Sequence, residues 1–288
     1  MKNNPYFQEH SPASINCKGE LILLDTPKVM GVLNLTPDSF YDGGLYRDEK
    51  AILDQTEKMI REGASFIDLG AYSSKPGAAL VSSEEESRRL LPVLELLLRE
   101  FPEALFSVDT FRSDIAKAAG ERGAALINDI SAGLLDPNMM PTVAALGLPY
   151  IMMHMRGTPQ TMKDQTQYKH LMQEILQYFS QRIGTAKSYG LYDLIIDPGY
   201  GFSKTTTQNF QLLKQAAQLN SLDLPVLTGV SRKSMIYKTL DIGPKEALNG
   251  TTALHMQALL SGSKILRVHD VKEAMECVSL FNALEKAT

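Results

Sequence analysis

Val29-Met-Gly-Val-Leu-Asn-Leu-Thr-Pro-Asp-Ser-Phe-Tyr-Asp-Gly-Gly44 opens with a short apolar run that stops at Asn34. The run from Val29 to Leu33 suits a strand buried on both faces of a parallel sheet. Thr36, Pro37, Asp38, Ser39 and the Gly43-Gly44 pair are too polar and too bent for core, and predict a long loop. Alone, such a unit is an ordinary strand and turn. Here it recurs. Further strands are expected at 66–69, 105–108, 125–127, 149–153, 194–196, 225–227 and 265–268. Between them, helical patterns cover 48–62, 83–100, 115–119, 139–146, 168–189, 207–219, 233–240, 245–260 and 271–284. Ser-Glu-Glu-Glu opens the second helix as a capping sequence, and Pro92 inside it predicts a kink or a break. Upstream, Ser14–Cys17 and Glu20–Leu24 flank Lys18-Gly19 and predict a β-hairpin.

Strands and helices that alternate this regularly require parallel pairing with right-handed crossovers. About eight such units in 288 residues predict a single (β/α)₈ TIM barrel over 28–288, preceded by an N-terminal segment and hairpin over 1–27. No Gly-x-Gly-x-x-Gly follows the first strand, which weighs against an open doubly wound sheet. The apolar fraction of 44% supports a large core, and no linker-like stretch divides the chain. A net charge of -4 argues against a nucleic-acid partner. No run approaches the roughly 18 apolar residues of a membrane span. Met1 to Ser11 is polar and lacks an apolar signal core, so a cytoplasmic location is expected. Cys17 and Cys277 stand far apart in no metal or redox spacing and read as packing residues.

The strand ends carry the chemistry. They deliver Asn34, Asp68, Asp109, Asn128, His154, Asp197, Ser231 with Arg232 and Lys233, and Arg267 with His269. In a barrel all of these converge on the C-terminal rim, where barrel enzymes keep their active sites. A polar set in one mouth is costly to bury and is retained for a ligand. Asp109, Asn128 and Asp197 offer acceptors to a flat heterocycle with adjacent ring N–H and amino donors. Arg267, His269 and Asn34 form a separate cluster of donors suited to a phosphate or diphosphate. The stretch Asp197-Pro-Gly-Tyr-Gly-Phe202 adds close-approach glycines and an aromatic wall. A heterocycle at one end and a diphosphate at the other describe a substrate activated for displacement.

Seven motifs in order make the pattern specific. Asn34-Leu-Thr-Pro-Asp-Ser-Phe40, Ser107-Val-Asp-Thr110, Asn128-Asp-Ile-Ser131, Met153-His-Met155, Asp197-Pro-Gly-Tyr-Gly-Phe202, Ser231-Arg-Lys-Ser234 and Arg267-Val-His-Asp270 together resemble the dihydropteroate synthase family. The resemblance runs in register from about Lys28 to the C-terminus. It implies a TIM-barrel transferase of folate biosynthesis. Such an enzyme joins p-aminobenzoate to 6-hydroxymethyl-7,8-dihydropterin diphosphate, releases pyrophosphate, and is the target of sulfonamides. Carried over by residue, it implies a pterin pocket of Asp109, Asn128, Met153, Asp197, Phe202, Gly229, Lys233 and Arg267. Asn34, Arg267 and His269 would hold the diphosphate, with Asn34 also contacting Mg²⁺ as the metal ligand. Phe40, Ser74, Lys75, Pro76, Ser231 and Lys233 would frame p-aminobenzoate. Asp109, Lys233 and Asn34 would serve catalysis, and a homodimer is usual in the family.

The match has departures. Residues 70–77 read Gly-Ala-Tyr-Ser-Ser-Lys-Pro-Gly, where the family more often has Gly-Gly-Glu-Ser-Thr-Arg-Pro-Gly. They bear on p-aminobenzoate affinity and sulfonamide response and leave the reaction class intact. Pterin-binding methyltransferases share the barrel and the Asp/Asn/Asp pocket but bind no diphosphate, so Arg267-Val-His269 and the 36–44 loop argue against that alternative. A non-catalytic pterin-binding module fits the anion-binding residues less well still.

Overall fold

The computed structural model describes residues 14–35, 45–72 and 81–287. The hairpin strands β1 (Ser14–Cys17) and β2 (Glu20–Leu23) come first. The alternating part then runs β3 (Lys28–Asn34), α1 (Leu45–Arg61), β4 (Phe66–Gly70), α2 (Ser83–Glu100), β5 (Phe106–Asp109) and α3 (Ser113–Glu121). It continues through β6 (Leu126–Asp129), α4 (Met139–Leu146), β7 (Tyr150–Met153), α5 (Leu171–Ser188), β8 (Leu194–Asp197) and α6 (Thr206–Lys214). The last members are β9 (Leu227–Thr228), α7 (Ser234–Leu240), α8 (Leu248–Leu260), β10 (Ile265–Val268) and α9 (Val271–Lys286). Strands β3 to β10 form one parallel sheet in the order β8-β7-β6-β5-β4-β3-β10-β9. A bridge between Ile196 and Val226 joins the two ends, and the Ile196 amide donates to Pro225 O at 3.0 Å. The sheet is thus a barrel, as the alternation predicts.

Side-chain alternation along the strands sorts the barrel into layers. Met30, Phe66, Leu126, Ile151, Ile195, Leu227 and Ile265 meet in one buried cluster inside it, joined from below by Ile15, Cys17 and Leu24 of the hairpin segment. The hairpin therefore plugs the N-terminal end. Two residues further along the same strands, on the same inward face, stand Asp68, Asn128, Met153, Asp197 and Arg267. The apolar layer is the floor on which a polar layer rests. The alternate, outward positions, among them Val29, Leu33, Ile67, Leu69, Val108, Ile127 and Ile196, pack against helix residues such as Leu90, Leu94, Ile115, Val143 and Phe179. Each such side chain contributes about 1.5–3 kcal/mol on full burial. Cys17 and Cys277 are both buried and unpaired.

Three local expectations are adjusted. Helix α2 runs unbroken through Pro92, capped by Ser82 Oγ on the Glu85 amide at 3.2 Å. Pro92 and Arg88 both lie on its exposed face, so the carbonyl freed by the missing N–H is open to water. The helical pattern of 207–219 splits into α6 and a 3₁₀ segment, Ala216–Leu222. The seventh barrel strand is two residues long and begins after Pro225, which has no N–H to give a ladder.

Candidate active site

Asp109 and Asn128 are paired across β5 and β6, and Met153 and Asp197 across β7 and β8, so the inward polar residues share one level of the barrel. A hydrogen-bonded network binds them. Arg267 donates from Nε to Asp68 Oδ2 at 2.6 Å and from Nη2 to Asp109 Oδ2 at 2.9 Å. Asn128 Nδ2 donates to the same Asp68 oxygen at 2.9 Å, and Tyr72 donates its hydroxyl proton to Asp109 Oδ1 at 2.9 Å. Arg267 is therefore at the centre of the carboxylates. The sequence separated an anion-binding cluster from a heterocycle-binding one; the structure joins them through this guanidinium, because its side chain spans the gap from β10 to the Asp68 and Asp109 strands. Burial works against the Arg267 charge, but Asp68 and Asp109 more than offset it and hold its pKa above the ordinary range. Burial raises the Asp109 pKa, opposed by Arg267 and by the Tyr72 hydrogen bond. Tyr72 itself is pushed well above the phenol range by burial and by Asp109, so it stays a donor.

Across the mouth, Asp197 Oδ1 accepts from the Gly199 amide at 2.8 Å, leaving Oδ2 for a ligand. Burial raises the Asp197 pKa, with Lys233 opposing. Lys233 is the N-cap residue of α7 and donates from Nζ to Tyr200 O, with the ammonium 4.9 Å from the centre of the Phe202 ring. Burial pushes it down to about 8. Gly229 sits between these groups. A β-carbon on it would lie 3.7 Å from Lys233 Nζ, 3.9 Å from Arg267 Cβ and 4.0 Å from Asp197 Oδ2. The Lys233 ammonium, an Asp197 oxygen and the stem of Arg267 thus border one small space.

His269 lies at the end of β10, its Nδ1 3.0 Å from Ser231 Oγ, while its own amide donates to that oxygen at 3.2 Å. The serine hydroxyl can then donate to Nδ1, which puts the ring proton on Nε2. Burial pushes His269 down to about 4, so it offers an anion a neutral N–H. Arg232, at φ 53°, holds both oxygens of Asp270, Nε to Oδ2 at 2.7 Å and Nη2 to Oδ1 at 2.8 Å. This pair ties the loop after β9 to the loop after β10. Asn34 stands exposed at the end of β3, its Oδ1 3.9 Å from where a β-carbon of Gly70 would be. Among the described residues no three His, Cys, Asp or Glu side chains gather as a metal cage. A hard amide oxygen such as that of Asn34 is nevertheless a donor that fits Mg²⁺, which keeps most of its ligands as water and substrate oxygens. A cavity of about 430 Å³ beside the mouth, lined by Ser131, Leu134, Met155, Arg156, Gly157, Gln165 and Tyr178, contains none of these groups.

The sequence matches the family described as "Pterin binding enzyme" across residues 30–269. It is 40% identical over 268 residues to the dihydropteroate synthase of Escherichia coli K12, covering 92% of this chain and 94% of that protein. The chain belongs to the dihydropteroate synthase family. Its barrel superposes with a TM-score of 0.89 on the Yersinia pestis dihydropteroate synthase in a sulfonamide drug complex, at 38% identity, covering 96% of this chain and 100% of that one. The Xanthomonas albilineans enzyme with 4-aminobenzoic acid gives the same TM-score at 37% identity, again covering 96% and 100%. The chain is a transferase of that family, with the TIM-barrel fold its strand pattern predicts.

Of the residues expected in the dihydropteroate synthase site, Asp109, Asn128, Met153, Asp197, Phe202, Gly229, Lys233 and Arg267 stand at one mouth, with Asn34, Ser231 and His269 on its rim. Phe40, Ser74, Lys75 and Pro76 lie outside the described residues. The structure adds four side chains. Asp68, inside β4, and His154, just past β7, stood among the polar residues expected at strand ends; the sequence did not show that Asp68 carries Arg267. Tyr72 stands two residues past β4, in the same loop as the more conspicuous departures at Ser74 and Lys75. Lys204 closes the glycine-rich loop after β8 and had no signal beyond that position.

Proposed function

We propose that this mouth condenses 6-hydroxymethyl-7,8-dihydropterin diphosphate with p-aminobenzoate, giving 7,8-dihydropteroate and pyrophosphate. The observation that carries the reading is the convergence of Asp197, Lys233 and Arg267 around Gly229. There a carboxylate for an amino and ring N–H edge and an ammonium for the ring carbonyl and N5 border one space with the stem of Arg267, whose guanidinium, bonded to Asp68 and Asp109, is offered to phosphate. Met153 and Phe202 supply apolar walls. Asn128, turned by its bond to Asp68, presents its amide oxygen to the same ring. Arg267, already polarised by two carboxylates, and the Nε2–H of His269 reach the diphosphate. Asn34 would help to hold Mg²⁺, which would neutralise phosphate charge and so improve the leaving group.

The reaction follows a dissociative order in this reading. The bond from the exocyclic methylene to oxygen breaks, and pyrophosphate leaves with the electron pair. The positive charge spreads over the dihydropterin ring, where the Asp109 carboxylate stabilises it in a site dry enough for the interaction to count. The aniline nitrogen of p-aminobenzoate, framed by Phe40, Ser74, Lys75, Pro76, Ser231 and the Lys233 stem, captures the methylene carbon and loses a proton. A homodimer and a cytoplasmic location complete the proposal. Leu280 and Leu284, 63% and 58% exposed on α9, support a self-association face, and no described helix is long and apolar enough to cross a membrane. The test is pyrophosphate release from the dihydropterin diphosphate with and without p-aminobenzoate. Stoichiometric release with dihydropteroate formation is expected, and no product from both substrates together would overturn the assignment.

A further inference from the structure

Lys204 is a buried lysine that forms no salt bridge among the described residues. Burying a lysine amine is costly, and the charge of nearby Asp197 offsets the cost only in part, so its surroundings call for a reason. Its Nζ makes three contacts of 3.0 Å each, to His154 Nδ1, Gly199 O and Phe202 O. The three N–H bonds of an ammonium are thereby fully used. Burial pushes Lys204 down to about 7, with Asp197 opposing, and burial and the Lys204 charge hold His154 well below its usual range, so the imidazole is neutral and, in the tautomer protonated on Nε2, accepts from the lysine on Nδ1. The His154 ring is itself fixed edge-on against Tyr178, at 4.7 Å between ring centres.

The two carbonyls held by Lys204 bracket the loop that enters the mouth. Gly199, at φ 69°, packs so closely that a β-carbon would stand 2.1 Å from His154 O. Its amide orients Asp197. Phe202 is the wall beneath Lys233, and Tyr200, between them, accepts from Lys233. Every contact the loop makes with the pterin half of the site therefore depends on where Gly199 and Phe202 are placed. We propose that Lys204, seated on His154, is a positioning residue that sets the 197–202 loop for pterin recognition and takes no part in holding the diphosphate. The inference rests on the pterin reading of the mouth.

The test measures binding of two separate probes, a 6-hydroxymethylpterin without phosphate and inorganic pyrophosphate, by calorimetry on the full chain. Wild type binds both; failure to bind the pterin overturns the site reading and this inference with it. Lys204→Met should weaken pterin binding about tenfold or more while pyrophosphate stays within about twofold, since each lost hydrogen bond that orients a ligand group is worth roughly that factor. Equal losses for both probes, or none for the pterin, would overturn the proposal. A matched pair covers the case in which Lys204→Met does not fold. His154→Asn keeps an acceptor near the Nδ1 position and His154→Leu keeps none, while both lose the ring contact with Tyr178. Pterin affinity should survive in the first and fall in the second. Equal affinities in the two would remove Lys204 and His154 from recognition.

Discussion

At the scale of single residues, the proposed chemistry rests on how the two oxygens of Asp109 are held. Arg267 takes one and Tyr72 the other. A hydrogen bond to the charged form of a carboxylate lowers its pKa, so Tyr72→Phe should raise that of Asp109. A bond to a charged group is worth about 1.5–3 kcal/mol, or roughly one pH unit or more. The acid limb of the kcat profile should therefore move to higher pH by about one unit, with activity recovered above it. An unmoved limb with a uniform loss of rate would separate Tyr72 from the ionisation of Asp109. Most of the acidic and basic residues involved were legible from position alone, because polar residues after nearly every buried strand must gather at one end of a closed barrel. Their partners were not. Arg267 and Asp68 are 199 residues apart, and Tyr72 and Asp109 are 37 apart. Only strand register and side-chain reach decide such pairings, and neither is written in a motif. For the same reason the donors and acceptors, separate along the chain, are bridged in space by Arg267.

At the scale of elements, the C-terminal helix pair carries a separate liability. His255 lies inside α8 at 2% exposure, and neither ring nitrogen has a hydrogen-bond partner among the described residues. Burial lowers its pKa from 6.5 to about 4, with Asp270 opposing. The fold thus favours the neutral ring. Above pH 6.5 the ring is neutral in both states and nothing is lost; as pH falls from 6.5 towards 4 the unfolded chain takes up a proton that the folded chain refuses. The loss reaches roughly 3 kcal/mol near pH 4, two and a half units at about 1.4 kcal/mol each. His255→Leu should flatten this part of the curve, visible as a smaller shift of the urea midpoint between pH 7 and pH 5 than in wild type. Parallel shifts in the two proteins would mean that acid sensitivity arises elsewhere. Element positions were well read where apolar periodicity or a cap was strong: α4 and β10 match the expected bounds, as does α2 with its Ser82 cap. They were misread where a 3₁₀ turn continued a helical pattern past Lys214, since the two share nearly the same spacing of apolar residues.

At the scale of the whole molecule, the ladders are uneven. Strands β3 and β4 share five residue pairs, whereas β9 pairs with β10 over two and meets β8 through one bridge. The eight-fold count of strands was legible in the sequence, but this unevenness was not, because it comes from Pro225 and the short run that follows it. Asp197 ends the strand on one side of the bridge, and Lys233 follows the strand on the other. Hydrogen exchange should find the Ile196 amide among the faster of the barrel's interior amides, slowed when a pterin occupies the mouth. Equal protection with and without the pterin would show that the junction is held by packing alone. The barrel is in effect a hoop with a clasp, and in the proposed mode of binding a pterin reaching from Asp197 to Lys233 would lie across the clasp. Ligands bound at a hundred times their dissociation constant stabilise the folded state by about 2.7 kcal/mol. An inhibitor filling the pterin half would therefore fasten the enzyme as it blocks it, shielding the chain from proteolysis, so that a treated cell accumulates the very protein it has lost the use of. One confined to the p-aminobenzoate side leaves the clasp undone.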